Sequence, residues 1–308
     1  MEKTEQNIIK TLAYFNLFQY PITKEELLLF HSENVKDCFL ERSLDNLCRA
    51  GIIFRLDEFY SLQNDRSLVV RRRSGNKMAI THMHRAFRAA KILAAFPFIQ
   101  GLAISGSLSK KYADENTDID FFVITSTNRL WIARTWMHLY KKLTFLTGKQ
   151  HWFCMNYYVD KDALEITEKN IFTAMEIVTL LPMYGRSGLT QFIQNNKWTA
   201  GYFPSCSPAT GEVPEMGRPY FKRLVEFIFN NKFGDIIDNL LMNITDRRWA
   251  KKVARKKKSE KGIPFGMIIS KHISKPDPKN FQKKIVEQYE KCFQELMEEQ
   301  QRKFVFGI

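Results

Sequence analysis

GLAISGSLSKKYADENTDIDFFVIT, residues 101–125, is the stretch that decides the fold. It reads as strand, tight turn, polar spacer, strand. Leu102–Ser105 is a short apolar run entered from Gly101 and closed by Gly106, as a buried strand is. Gly106-Ser107 follows at once. After the spacer, Asp118-Ile119-Asp120 runs into Phe121-Phe122-Val123-Ile124. Side chains alternate faces on a strand, so Asp118 and Asp120 point one way and Ile119 the other, into the core. Two carboxylates side by side repel unless a cation lies between them. Oxygen ligands of this kind suit Mg²⁺, which takes one or two carboxylates and completes its shell with water and phosphate oxygens. Gly106 lets backbone approach a bound group, Ser107 adds a hydroxyl donor, and a helix starting near Leu108 would turn free N–H groups toward an anion.

Gly106-Ser107, the spacer and Asp118-Ile119-Asp120-Phe121 together resemble the signature of the DNA polymerase beta-like nucleotidyltransferase superfamily. That signature is an apolar residue, Gly, Gly or Ser, a variable spacer, then Asp, apolar, Asp or Glu, apolar. The resemblance spans Phe98 to about Tyr158. It implies transfer of a nucleoside monophosphate from an NTP to a hydroxyl acceptor, with release of pyrophosphate. Asp118 and Asp120 would hold one or two Mg²⁺, with Mn²⁺ as a substitute. Gly106, Ser107 and Ser109 would hold the nucleotide phosphates, and Lys110 or Lys111 would neutralise the leaving pyrophosphate. The superfamily usually carries a third carboxylate on a neighbouring strand. Here that strand is Trp152–Val159, and its mid-strand polar residue is Asn156. An amide coordinates a metal through its oxygen but is no general base. Alternation puts Trp152, Cys154, Asn156, Tyr158 and Asp160 on one face, with Asp162 and Glu165 in the loop beyond.

Working outward, 308 residues suffice for two or three domains. No apolar run reaches membrane-spanning length; the longest, Ile92–Ile104, is broken by Pro97 and Gln100. The first ten residues lack the pattern of a signal peptide. Five cysteines (Cys38, Cys48, Cys154, Cys206, Cys292) show neither pairing nor metal spacing, which reads as reduced thiols in a cytoplasmic protein. A net charge of +14 points to anionic partners, either nucleotides or nucleic acid, and no membrane partner is expected.

On the N-terminal side, Ile8, Ile9, Leu12, Phe15 and Phe18 recur at helical spacing. Thr23 and Glu26 form a capping box for a second helix. A third helix is read over Val35–Arg49, with Phe39, Leu44 and Leu47 inward. Ile52–Arg55 and Phe59–Leu62 then form a hairpin. Three helices and a hairpin resemble a winged helix. Its third helix balances Lys36, Arg42 and Arg49 with Asp37, Glu41 and Asp45, which favours scaffolding over major-groove binding. Asp65–Ala95 reads as a helical connector, with Arg71-Arg72-Arg73 as a solvated face. His82 and His84, two apart, do not share a helical face.

On the C-terminal side, a helix runs from Thr127 to about Leu146, with Trp131 in the core. Another covers Glu168–Leu181 and stops at Pro182–Gly185; whether its Glu176 faces inward stays open. Trp198–Pro219 reads as a loop or lid. Phe221–Trp249 is helical, with its apolar residues packed on the rest. Arg247–Lys261 carries nine Lys/Arg and one Glu, a solvated helix end or an anion sink. Ser274–Lys279 is a Pro-rich break, and Phe281–Phe304 is a terminal amphipathic helix.

The expected fold is α/β (α+β), a nucleotidyltransferase-type mixed sheet flanked by helices. Its expected parts are a winged-helix module over 1–64, a connector over 65–97, a core over 98–185 and a helical region over 186–308. The expected function is NTP-dependent, Mg²⁺-dependent nucleotidyl transfer to an acceptor that is a small molecule, a protein or an RNA. The alternative is a catalytically inactive nucleotide-binding sensor or a winged-helix DNA-binding regulator. Three converging acids would favour the enzyme, and two acids plus Asn156 the sensor.

Overall fold

The computed structural model describes residues 1–206, 208, 213, 219–259, 267–277 and 280–306. The chain is mixed α/β, built around a six-stranded sheet. Strands β4 (Ile99–Ile104), β5 (Asp120–Thr125), β6 (Cys154–Asp160) and β7 (Leu181–Tyr184) join β8 (Ile268–Ile269) and β9 (Ile273–Lys275) in the order β7-β4-β5-β6-β9-β8. Only β5 and β6 pair in parallel. Alternation along β4 and β5 serves both faces. Leu102, Ile104, Phe121 and Val123 enter one core, while Ala103, Phe122 and Ile124 enter another. A sheet buried on both faces explains why 121–124 is an unbroken apolar run. Helix α6 (Leu130–Thr144) covers the first face with Trp131, Ile132 and Met137. Helix α8 (Arg186–Asn195) covers the second with Leu189 and Phe192.

The N-terminal part follows the order α1 (Lys3–Asn16), β1 (Ile22–Thr23), α2 (Lys24–Leu29), α3 (Asp37–Arg49), β2 (Phe54–Leu56), β3 (Phe59–Ser61). Its three strands form a small sheet in the order β1-β3-β2. The Thr23–Glu26 capping box forms in both directions, at 3.2 and 3.0 Å. Asp57 takes the left-handed turn position between β2 and β3, at φ 57°. Helix α3 buries Leu40, Ser43, Leu44 and Leu47, and Phe39 stands exposed. One helical step, about 100°, separates Phe39 from Leu40, and the inward stripe starts at Leu40. The apolar core of this part runs on into Ala174, Met175 and Val178 of α7 (Ile171–Val178) and Ile285 of α11 (Phe281–Phe306).

The connector is one helix, α4 (Ser67–Ala94). Its arginine run is only in part a solvated face, since Arg71 and Arg73 are exposed and Arg72 turns inward. Arg72 is buried, bonds Glu26 at 2.7 Å and Pro21 O at 3.3 Å, and lies 3.7 Å over the Tyr20 ring. Arg71 donates to the Phe18 and Gln19 carbonyls, and Arg73 pairs with Glu58 and Asp57. The three arginines clamp the N-terminal part to α4.

Pro182 marks an edge strand rather than a helix stop. Strand β7 lies at the sheet margin, where a missing N–H costs no ladder bond. Ser274 and Lys275 lie in β9, so the Pro-rich break begins only at Pro276. Two further helices follow β7 and α8: α9 (Tyr220–Phe229) and α10 (Lys232–Ser259). Residues 207, 209–212 and 214–218, read above as part of a loop or lid, lie outside the described residues, as do Glu260 and Lys261 of the basic run. No described helix is long and apolar enough to cross a membrane. All five cysteines are free.

Candidate functional site

The turn after β4 is a single helical turn, α5 (Gly106–Ser109). Gly106 adopts φ +70°, and a Cβ there would lie 2.6 Å from Asp120 Oδ2. Only glycine fits, because the turn passes directly over the Asp120 carboxylate. Asp118 and Asp120 both face a cleft of about 980 Å³, together with Ser105, Gly106, Ser107 and Lys110. Ile119 points into the core, 1% exposed. The alternation expected of Asp-Ile-Asp is therefore what the backbone delivers.

Asn156 also faces the cleft and donates from Nδ2 to Asp120 Oδ1 at 2.5 Å. Its surroundings differ from the expected strand geometry. Phe121 pairs with Met155 but Phe122 with Tyr157, so Asn156 is the extra residue of a β-bulge. The bulge reverses the alternation beyond it. Cys154, Asn156 and Tyr157 face the cleft, whereas Tyr158 joins Met155 in the core on the other side. Asp160 is thereby removed from the site. It is fully buried at the far end of β6, where it accepts from Asn128 N (3.0 Å), Asp162 N (3.0 Å) and His272 Nδ1 (2.7 Å).

The third acid comes from a helix. Glu176 of α7 accepts from Gly106 N at 3.1 Å and from Lys110 Nζ at 2.6 Å. Glu176 and Asp120 thus flank Gly106 from two sides. Burial, then Glu176, then Asp118 push the Asp120 carboxyl up from 3.8 to about 7. Its ionised form lacks a nearby cation strong enough to offset two acidic neighbours. Asp118, half exposed, is held by His151 Nδ1 at 2.5 Å. The Cys154 thiol, at the same spot, is pushed up to about 12 by burial and by Asp120, so it stays protonated.

Of the phosphate-binding candidates, Ser107 is exposed at the cleft. Ser109 turns away: its Oγ donates to Gly106 O at 2.8 Å and to Thr179 Oγ1 at 3.4 Å. Lys110 is tied to Glu176 and to Gly106 O, so it neutralises an acid of the site before any ligand arrives. Glu165 pairs with Lys169 on the surface, and Asp162 accepts from Thr127. The N-terminal part supplies the cleft's outer wall through Phe18 and Tyr20, joined by Arg71 of α4, and Tyr20 Oη donates to Lys110 O at 2.7 Å. The opposite wall is apolar, with Ile166, Ile177, Leu180 and Phe192.

Sequence reasoning left Glu176 undecided. The signal was present: an acid in a helix whose neighbours Ala174, Met175, Ile177 and Val178 are all buried. Such an acid either meets a partner or a cation.

A second group, Asp160, Asp162 and His272, brings ligand atoms within 4.8 Å of one another and by ligand type could take a metal. Both Asp160 oxygens already accept hydrogen bonds there, which is the pattern of a structural anchor.

Comparisons with protein-family models, with curated proteins and with solved structures find no match to this chain.

Proposed function

We propose that the chain is a nucleotidyltransferase that moves a nucleoside monophosphate from an NTP to a hydroxyl-bearing acceptor. One observation carries this reading: Asp118, Asp120 and Glu176 gather around Gly106 at a large cleft, with Asp120 pushed up to about 7 by burial and by the other two acids. Lys110 pairs with Glu176, yet Asp120 stays pushed up beside the two acids, and such crowding is costly to keep unless it does something. Oxygen donors alone, from carboxylates and the Asn156 amide, fit Mg²⁺ or Mn²⁺ rather than a soft metal. The bound ion would neutralise phosphate charge and polarise the α-phosphate.

The chain's own groups do the rest. Asp118 and Asp120 would hold the ion, and the Asn156 and His151 side chains orient them through the 2.5 Å contacts. Ser107 and the Gly106 backbone would receive the triphosphate. For that the Glu176 carboxylate has to leave Gly106 N, which frees Lys110 for the phosphate. The Glu176 carboxylate, once clear of Gly106 N, lies within the site to take the acceptor's proton. The order helix, strand, two helices and hairpin over residues 1–64 supports a winged-helix reading, and its place on the cleft wall supports a scaffolding role.

A nucleotide sensor without turnover is the second reading, favoured by Asn156 where a carboxylate is usual. The presence of Glu176 as a third acid favours the enzyme. The test is incubation with each α-labelled NTP, Mg²⁺ and a mixed pool of small hydroxyl compounds, protein and RNA, following pyrophosphate release and label transfer. Wild type should release pyrophosphate, and Asp118→Ala/Asp120→Ala should not. Tight Mg²⁺·NTP binding by wild type without turnover on any acceptor would support the sensor instead.

A further inference from the structure

Helices α9 and α10 carry more apolar surface than their packing uses. Both are anchored firmly on one side. In α9, Val225 is buried, Lys222 donates to the Ala94 and Ile99 carbonyls, and Glu226 accepts from Phe98 N. In α10, Asp235 pairs with Arg129, Asp238 accepts from Ile132 N, and Ile237, Leu241 and Met242 pack on the main core. The outward faces are therefore fixed, not badly seated.

Those faces are apolar. On α9, Tyr220 (79%) and Phe227 (85%) stand almost free, with Leu224 and Ile228 beside them. On α10, Phe233, Ile236 (64%), Leu240 and Ile244 form one exposed row at the spacing of helix turns. The rings of Phe229 and Phe233 stack at 5.9 Å where the two helices meet, so the rows belong to one rigid corner. Large apolar groups gain by leaving water, and contiguous exposed apolar rows mark an interaction surface.

The occupant is indicated by charge. Arg247 and Lys251 continue the α10 row at the same helical spacing, Arg248 lies next to it, and all three are exposed. The sequence from 247 to 261 holds nine Lys/Arg against Glu260, in a chain of net charge +14. A second copy of the chain would bring its own basic run to the same contact. An anionic lipid surface neutralises it, each Lys or Arg near the headgroups adding to the attraction. Exposed aromatics beside basic residues are the chemistry of a helix lying in a membrane interface rather than crossing it. We infer that the α9–α10 face docks the chain on anionic phospholipid, with the apolar rows in the acyl boundary and the basic end of α10 on the headgroups.

The inference is independent of the cleft and is tested on the full chain by co-sedimentation with vesicles. Vesicles of phosphatidylglycerol and phosphatidylcholine should bind the protein, and pure phosphatidylcholine should bind it much less. Phe227→Glu/Ile236→Glu should weaken binding to the anionic vesicles by at least about tenfold, since it removes apolar insertion and adds negative charge. Arg247→Gln/Arg248→Gln/Lys251→Gln should lower it and flatten its salt dependence. All changed side chains are exposed, and circular dichroism checks that each variant is folded. Absence of anionic-vesicle binding would overturn the proposal. So would undiminished binding by Phe227→Glu/Ile236→Glu, or a wild-type dimer that this variant dissolves, because the face would then belong to electrostatics elsewhere or to a second copy.

Discussion

At one end of the parallel β5–β6 pair, Asp160 is surrounded by donors; at the other, Asp120 is surrounded by acids. Asp160 is fully buried yet accepts from two backbone N–H groups and His272. Asp120 receives one amide from Asn156 and faces Glu176 and Asp118, which together with burial push its carboxyl up to about 7. Asp160 is the more deeply buried of the two, yet Asp120 is the one whose carboxyl is pushed up. What differs is whether the fold brought hydrogen-bond donors or more oxygen. The first arrangement locks a loop to a strand; the second is the one our proposal gives to a cation.

The comparison breaks most visibly at Asp160. Asp160→Ala leaves the Asn128 and Asp162 N–H groups and His272 without their acceptor, and should cost about 3–5 kcal/mol in urea unfolding. Nucleotide binding by the folded fraction should be unchanged. Loss of binding with intact stability would mean that the two ends have been assigned the wrong way round.

Next in size is Gly106→Val. The position needs φ +70°, and its Cβ would meet Asp120 Oδ2 at 2.6 Å. Strain of about 2–3 kcal/mol is expected, with nucleotide binding abolished. A variant that keeps near-wild-type affinity by calorimetry would put the phosphate site elsewhere.

Asp120→Asn should act in the opposite sense on stability. The unfolded carboxyl titrates near 3.8 and the folded one near 7, so folding takes up a proton between these values. The Asp120 contribution to stability therefore falls as pH rises from about 4 to about 7. Asp238, also pushed up to about 7 by burial, adds a decline of the same sign. The difference between wild type and Asp120→Asn isolates the site: the variant should be the more stable of the two at pH 8, and equal near pH 4. A variant less stable than wild type at pH 8 would show that donors, not acids, dominate around Asp120.

These features were unequally legible in sequence. Gly106-Ser107 and Asp118-Ile119-Asp120 are local patterns, and period-two alternation was enough to bring Asp118 and Asp120 to one face. The α4 helix and the Thr23–Glu26 cap are local as well. The bulge at Asn156 was not legible, because it depends on how β6 registers against β5, and one extra residue reverses every side chain beyond it. Asp160 was misplaced for that reason. Glu176 could be seen as an acid among buried neighbours, but that α7 docks against Gly106 is a tertiary fact. Phe39 was read inward and Arg72 outward because each hinges on which side of a helix finds a partner, which composition cannot tell. The apolar residues of α9 and α10 were read as core, since a helix pattern shows that a stripe exists and not whether anything covers it.

The smallest effect is expected at Asn156. Asn156→Asp removes the donor to Asp120 Oδ1 and adds a further acid. Without metal the change should destabilise by about 1 kcal/mol, and with Mg²⁺·NTP present binding should tighten by a few-fold. Weaker binding in Mg²⁺ would mean that Glu176 already completes the set.

The most direct test is calorimetry of wild type and Asp118→Ala/Asp120→Ala with ATP, CTP, GTP and UTP, each with and without Mg²⁺. The acids at the Asp120 end should bind at least one NTP only when Mg²⁺ is present, releasing protons below pH 7 as Asp120 ionises, and the double variant should bind none. Equal NTP binding by the two proteins, or binding by wild type that ignores Mg²⁺, would contradict the claim that these carboxylates are gathered for a cation.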